Sequence, residues 1–198
     1  LLIINYKNSM NSIITRFAPS PTGNLHIGGI RTALINYIVT KQAKDKFPDS
    51  KFLLRIEDTD KIRSNKLFLE NIINGLKWLD IKYDNEPYIQ SQKIIRHQEI
   101  AYELLKNKKA FKCICTKDIL DNKRKYNQLN KINDKKLCKD CENNKETQSY
   151  EKNFTIRLKI PNEGATSIND LIQGNIIVNN KEIDDFIILR EDGSQTYM

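Results

Sequence analysis

The sequence predicts an α/β fold, a parallel sheet with covering helices, into which a basic segment bearing four cysteines and some short strands are inserted. Three observations predict it. Through the first half, short apolar runs alternate with stretches of helical spacing, which implies parallel strands joined by helical crossovers. Residues 106–145 hold 13 Lys and Arg against 5 Asp and Glu, an excess equal to the whole chain's net charge of +8. Residues 153–190 then change character, with brief Ile-, Phe- and Val-rich runs separated by Gly, Pro, Asn and Asp, the pattern of a small sheet.

The elements follow in order. "LLIINYKNSM" opens with apolar residues but has no basic leader and no small-residue cleavage site, so it does not read as a secretory signal, and Met10 is a candidate start. "IITRFAP" (13–19) is an apolar run ended by Pro19 and Pro21, a buried strand followed by a forced loop. From Gly28 onward, Ile30, Ala33, Leu34, Tyr37 and Ile38 recur at helical spacing, predicting an amphipathic helix that ends near Pro48. "KFLLRIED" (51–58) is a second strand, and residues 66–81 are a second helix with Leu67, Ile72, Leu76 and Leu79 on or near one face. "QSQKIIRHQEIAYELLKNKKA" (90–110) reads as a third helix. "FTIRLKIP", "GNIIVNN" and "DDFIILRED" are the strands of the small sheet.

Composition narrows the class. With 198 residues, 39% hydrophobic and 29% charged, the chain can bury a core and resembles ordinary globular proteins. No stretch approaches the roughly 20 apolar residues of a membrane helix. The cysteines are clustered and no export signal is legible, so a disulfide framework is disfavoured. A concentrated basic surface suits a polyanion, because each phosphate neutralised releases condensed counterions. The competing explanation is a general bias of this chain toward Lys, Asn and Ile.

The loop "FAPSPTGNLHIGG" carries the first candidate chemistry. A strand running through glycines into a helix N-terminus makes an anion site, since unsatisfied N–H groups and the positive helix end face the ligand. His26 then lies where a phosphate would rest, able to donate a hydrogen bond to a charged transition state without fixed charge in the ground state. The alternative is that Gly28 and Gly29 only permit close packing while His26 faces solvent. The cysteines read Cys113-x-Cys115, 22 residues, Cys138-x-x-Cys141. Two such pairs of thiolates can close a tetrahedral zinc site with no open position, structural rather than catalytic. Inert reduced cysteines are the alternative.

In conjunction, "RFAPSPTGNLHIGGIRTALINY", "FLLRIEDTD", "PYIQSQKIIRHQEIAYELLKNKKAFKCICT" and "DDFIILREDGSQTYM" closely resemble the class I aminoacyl-tRNA synthetases, in particular bacterial-type glutamyl-tRNA synthetases, over nearly everything from Ile13 to the end. The resemblance implies a Rossmann-like parallel sheet with an inserted, zinc-bearing lobe that binds the tRNA acceptor. Its expected limits are an N-terminal extension at 1–12, catalytic domain at 13–105, inserted lobe at 106–184 and a truncated return at 185–198. It implies ATP-dependent activation of L-glutamate to glutamyl-adenylate and transfer to the 3′ end of tRNA(Glu). The expected partners are therefore ATP with Mg²⁺, L-glutamate, tRNA(Glu) and a structural Zn²⁺, in a monomeric bacterial cytoplasmic enzyme, with an organelle as the other location.

Carried over residue by residue, the resemblance assigns His26 and Gly28 to catalysis at the signature loop, with Pro21, Gly23, His26, Gly28 and Gly29 at ATP. It assigns Arg16, Ala18, Ser20, Glu57 and Tyr197 to glutamate. An arginine offers a carboxylate a bidentate fork and Glu57 a counter-charge for the ammonium; a salt bridge between Arg16 and Glu57 at neighbouring strand ends is the alternative. Cys113, Cys115, Cys138 and Cys141 are the implied zinc ligands. Two departures stand out: Gly29 replaces the second histidine of the family's His-x-Gly-His signature, and the second cysteine pair differs in type and spacing from the family's usual form. The family's later Lys-rich ATP signature and anticodon domain have no counterpart here, so an N-terminal fragment, weak or inactive alone, is expected. Two other readings remain: a shortened paralogue that glutamylates a modified anticodon base of tRNA(Asp), whose loop resembles His-Phe-Gly-Ser where this chain has "HIGG", and an inactive tRNA-binding module.

Overall fold

The computed structural model describes residues 11–132, 135–170 and 172–196. Most of the expected extension at 1–12, Met10 included, and Tyr197 lie outside the described residues. The chain divides into two compact units, one ending at Lys93 and one formed by Ile94–Thr196.

In the first unit, β1 (Ile14–Phe17) leads through the Pro- and Gly-rich loop into α1 (Ile27–Lys44), β2 (Lys51–Ile56), α2 (Lys66–Trp78) and β3 (Tyr88–Ile89). The strands lie in the order β1-β2-β3, all parallel, with Arg16 opposite Leu53 and Phe17 opposite Leu54. Alternation decides which side of β2 is covered: Phe52, Leu54 and Ile56 are buried and pack with Phe17, Ala33, Ile72, Leu76 and Ile81. Tyr37 of α1 meets Phe52 edge-on, ring centroids 6.0 Å apart. After α2 the chain returns past β2, where Asp84 accepts from Phe52 N at 2.8 Å and Asn85 from Leu54 N at 3.1 Å.

Two expected apolar faces are narrower than their sequence spacing. On α1, Ala33 is buried and Tyr37 joins the core, but Leu34 and Ile38 are each 42% exposed, because three strands cover only part of the stripe. On α2, Ile72 and Leu76 are buried while Leu67, in the first turn, is 69% exposed. The third helix is also shorter than expected. Residues 90–93 form a 3-10 turn, α3 spans Ile94–Lys106, and Ala110 already belongs to a strand. Lys108, at φ +57°, reverses the chain after α3, with Lys109 N donating to Leu104 O at 2.9 Å.

The second unit continues from α3 with β4 (Ala110–Cys113), α4 (Lys117–Leu129), two short helices α5 (Lys139–Asn143) and α6 (Lys145–Ser149), then β5 (Thr155–Leu158), β6 (Ala165–Asp170), β7 (Gly174–Asn179) and β8 (Ile187–Leu189). The single small sheet expected over 153–190 is instead two. β4, β5 and β8 form one antiparallel sheet, and β6 with β7 forms a separate hairpin. Neither β4, inside the cysteine segment, nor β6, "ATSIND", carried an apolar pattern of its own; pairing makes them strands. The hairpin turns where the Asp170 carboxylate accepts from Ile172 N and Gln173 N and Gly174 takes φ +77°. By compactness α3 and β8 belong with this unit, whereas the sequence division fell at 105/106 and 184/185. Among the described residues no helix is long and apolar enough to cross a membrane.

Candidate functional site

The loop after β1 is held by its neighbours at four points. Pro19 O accepts from Glu57 N at 2.9 Å and Pro21 O from Asn65 N at 3.0 Å, fastening it to the end of β2 and the start of α2. Leu25 N donates to Asn71 Oδ1 at 2.9 Å, and the Leu25 side chain lies so close to Gly75 that a Cβ there would meet it at 2.8 Å. Asn65, Asn71 and Gly75 were not singled out from the sequence. Their role depends on α2 lying beside the loop, which no local pattern announces.

His26 is the N-cap of α1. Its backbone is extended (φ −113°, ψ 168°), and its Nδ1 accepts from Gly28 N at 3.1 Å. Nδ1 is thus the acceptor, so the proton of the neutral ring is on Nε2, and the exposed imidazole keeps an outward donor. Gly28 makes this possible: a Cβ there would lie 2.9 Å from His26 Cε1 and 3.1 Å from Nδ1. At Gly29 a Cβ would lie 3.0 Å from Leu25 Cδ1, whereas Gly23 has nothing within 4 Å. The first turn of α1 carries no acidic side chain, so its positive end is not neutralised from within.

The parallel register sets the loop beside the carboxyl end of β2. Glu57, just past β2, is 5% exposed, and Ala18 and Ser20 are partly buried across from it. Arg16, on β1, is exposed. The Arg16–Glu57 bridge considered above is not the one formed: Glu57 Oε1 pairs with Arg55 Nε at 3.3 Å, and the Arg55 guanidinium lies over the Tyr88 ring at 5.3 Å. Arg55 stands two residues before Glu57 and so on the same face, a relation the strand period makes legible, whereas Tyr88 comes opposite Arg55 only through the register of β2 with β3. Next along the chain, the Asp58 carboxylate takes Ser91 N at 2.8 Å, and Asp60 accepts from Arg63 N at 3.0 Å and Arg63 Nε at 2.7 Å. Those bonds from Arg63, the backbone one foremost, hold the Asp60 carboxyl below the usual carboxylate range.

In the second unit the fold brings together the four cysteines that the sequence separates. Cys113 ends β4, Cys115 follows it, Cys138 is the N-cap of α5 and Cys141 lies within α5. The Sγ atoms of Cys113, Cys115 and Cys141 all lie within 4.8 Å of one another, with Cys115 and Cys141 at 3.4 Å. Cys138 packs in the same buried cluster but is not among the three mutually close sulfurs. None of the four is in a disulfide. Phe111, Leu120 and Leu137 enclose the sulfurs. The hydrogen bond with Cys138, opposed by burial and aided by Arg157, draws the Cys113 thiol down to about 4. Burial and the contact with Cys141 push Cys115 up to about 12, and the contact with Cys113 pushes Cys138 up. Gln148 pins the lobe, its Nε2 donating to Cys141 O at 2.6 Å and Lys112 O at 2.9 Å.

The basic segment lines an open groove of 720 Å³ with Lys106, Lys108, Lys112, Lys145 and Lys159. Two of these are engaged: Lys159 pairs with Glu142 at 2.7 Å, and Lys112 donates to Tyr150 O at 2.7 Å.

A parallel sheet whose first strand passes through a Pro- and Gly-rich loop into a histidine-capped helix defines a Rossmann-like α/β domain of the class I synthetase type. Residues 12–198 match the family described as tRNA synthetases class I (E and Q), catalytic domain, and the chain belongs to that family. It is 43% identical over 188 residues to a glutamate–tRNA ligase 1 of Ehrlichia canis strain Jake, covering 95% of this chain and 39% of the relative. A glutamate–tRNA ligase 1 of Orientia tsutsugamushi strain Boryong is 43% identical over 192 residues, 96% of this chain and 39% of that protein. Among solved structures, a glutamate tRNA ligase from Elizabethkingia meningosepticum in complex with its amino acid superposes with a TM-score of 0.75 at 30% identity, over 93% of this chain and 40% of that one. The chain thus spans about two fifths of the length of the curated relatives it matches.

Proposed function

We propose that this chain is part of a glutamyl-tRNA synthetase that activates L-glutamate with ATP and transfers it to the 3′ end of tRNA(Glu). In the first step the α-carboxylate of glutamate attacks the α-phosphorus of ATP and pyrophosphate leaves. In the second, a hydroxyl of the terminal ribose attacks the acyl carbon and AMP leaves. Both steps gather negative charge on oxygen, so catalysis consists mostly of positioning and electrostatic stabilisation.

The observation that carries this reading is the capped helix start. His26 presents an Nε2–H donor at the positive end of α1, and Pro21, Gly23, Gly28 and Gly29 surround it with backbone that admits a triphosphate and its Mg²⁺. Arg16 would take a carboxylate of glutamate, with Ala18, Ser20 and Tyr197 alongside, and the buried Glu57 would meet its ammonium. The relatives' names as glutamate–tRNA ligases favour the synthetase over the anticodon-modifying paralogue.

Cys113, Cys115, Cys138 and Cys141 would offer zinc four soft sulfur donors from one cluster, three of whose Sγ atoms lie within 4.8 Å of one another. Bound there, the ion supplies cross-linking rather than chemistry, tying β4 to α5 in a polar lobe. The lysines of that lobe would face acceptor-end phosphates of tRNA. On this reading the enzyme works as a monomer in the bacterial cytoplasm.

The test is glutamate-dependent ATP–pyrophosphate exchange by the full-length protein, with and without tRNA, compared with His26→Ala and Arg16→Ala. Exchange that needs both side chains is expected. Exchange independent of tRNA would favour the paralogue, and tRNA binding with no exchange at all would leave a binding module.

A further inference from the structure

The pleat of the first unit's sheet sets three charged residues on one face. Arg16 stands opposite Leu53, and Arg55 and Glu57 follow Leu53 at steps of two, whereas Phe52, Leu54 and Ile56 fill the core on the other side. Arg16 is exposed, and among the described residues no carboxylate pairs with it. Arg55 is placed otherwise. Its Nε lies 3.3 Å from Glu57 Oε1, with the two side chains 22% and 6% exposed, and among the described residues Glu57 has no other cation.

A carboxylate this buried needs a counter-charge, and one that is to receive an ammonium also needs a fixed direction. The hydrogen bond from Glu57 N to Pro19 O, 2.9 Å, holds the backbone but leaves the side-chain torsions open. Arg55 restricts them. The contact is one of charge: Arg55 Nε makes no hydrogen bond, so the carboxylate lone pairs stay open to the three N–H donors of an ammonium. Arg55 is itself held, since the register of β2 with β3 sets Tyr88 opposite it and its guanidinium lies over the Tyr88 ring at 5.3 Å. A lysine, a point charge on a flexible stem, would not lie flat on the ring in this way.

We propose that Arg55, seated on Tyr88, is a positioning residue of the glutamate site, aiming the Glu57 carboxylate at the substrate ammonium without touching the substrate. The proposal rests on the reading that Glu57 meets that ammonium. The two arginines of the face thus divide their work: Arg16 is free for a substrate carboxylate, and Arg55 is committed within the protein.

The experiment is glutamate-dependent ATP–pyrophosphate exchange by the full-length protein, with kcat and the KM for glutamate read separately at saturating ATP. Wild type is compared with Arg55→Met, Arg55→Lys, Tyr88→Leu, Glu57→Gln and the double variant Arg55→Met with Glu57→Gln. Arg55→Met is expected to raise the KM for glutamate about tenfold while kcat stays within about twofold. Arg55→Lys and Tyr88→Leu should each raise it about threefold. Added to Glu57→Gln, Arg55→Met should have no further effect on KM, since it acts only through that carboxylate. A merely structural arginine would instead lower the amount of active protein, and with it the apparent kcat, by the same factor in both backgrounds. Should Arg55→Met fail to fold, Arg55→Lys and Tyr88→Leu, which keep a charge beside Glu57, decide. If Glu57→Gln raises KM and the Arg55 and Tyr88 variants do not, this proposal alone is overturned. A Glu57→Gln enzyme with the wild-type KM overturns the ammonium reading and this proposal with it.

Discussion

At the residue scale, His26 has two tasks that substitution can separate. As N-cap it accepts from Gly28 N, and as proposed catalyst it offers Nε2–H to phosphate. His26→Asn keeps a capping oxygen but has no donor in the imidazole's outer position. It should melt within a degree or two of wild type while losing about a hundredfold or more in pyrophosphate exchange. His26→Ala should lose both, including about 1 kcal/mol of stability read by urea denaturation. Gly28→Ala makes the complementary case: alanine is the better helix former by about 1 kcal/mol, yet its Cβ would press on the imidazole at 2.9 Å. Stability should hold while exchange falls. Arg55 gives a structural contrast, since Arg55→Met would leave the buried Glu57 without its ion-pair partner. A loss of about 3 kcal/mol in urea denaturation is the expected outcome, and an unchanged midpoint would show that Glu57 is answered by another cation.

At the scale of elements, the tie between α1 and β2 through Asp84 predicts a pH dependence. Burial raises the Asp84 pKa, but hydrogen bonds from Lys44 Nζ at 2.6 Å and Phe52 N at 2.8 Å outweigh it and hold the carboxyl below its usual value. A depressed folded pKa means the contribution is complete above the unfolded pKa of about 4 and is lost as pH falls through the folded one. Both side chains are partly exposed, so it amounts to less than about 1 kcal/mol. Asp84→Ala should therefore lower the urea midpoint at pH 7, and its difference from wild type should shrink as the titration is carried below pH 4.

At the scale of the whole molecule, the second unit has a small apolar core of Ala101, Ala110, Ile156 and Leu189, and leans on its sulfur cluster for the rest. The first unit packs four aliphatic residues of β2 and α2, Leu54, Ile56, Ile72 and Leu76, and two phenylalanines without any such aid. On the proposed zinc reading, a chelator added to the zinc-loaded full-length protein should thus strip hydrogen-exchange protection from β4 and α5 while β1, β2 and α1 keep theirs. Equal loss in both units would mean that they unfold as one.

Much of this was legible in the chain. Strand, loop and helix around residues 13–44 could be read because prolines and glycines act on the backbone next to them and apolar spacing is a local property. The cysteines could be read as two close pairs from spacing, and the fold sets the sulfurs of Cys113, Cys115 and Cys141 within 4.8 Å of one another. What could not be read were the choices made between distant partners. The sequence reading set Glu57 against Arg16, and in the fold Glu57 pairs with Arg55 instead. Three apolar runs looked like one sheet, but β5 and β8 found β4, while β7 found β6, a strand whose only apolar residues are Ala165 and Ile168. Leu34, Ile38 and Leu67 matched the core's periodicity and are exposed, since a helix can repeat a stripe more widely than its sheet can cover. By itself the sequence determined the first strands and helices, the histidine-bearing loop and the spacing of the cysteine pairs, because short-range sterics and residue chemistry act without regard to the rest of the chain. Tertiary structure alone decided strand partners, ion pairs and which cysteine sulfurs come close together, because burial and charge compensation depend on which surfaces the folded chain brings together.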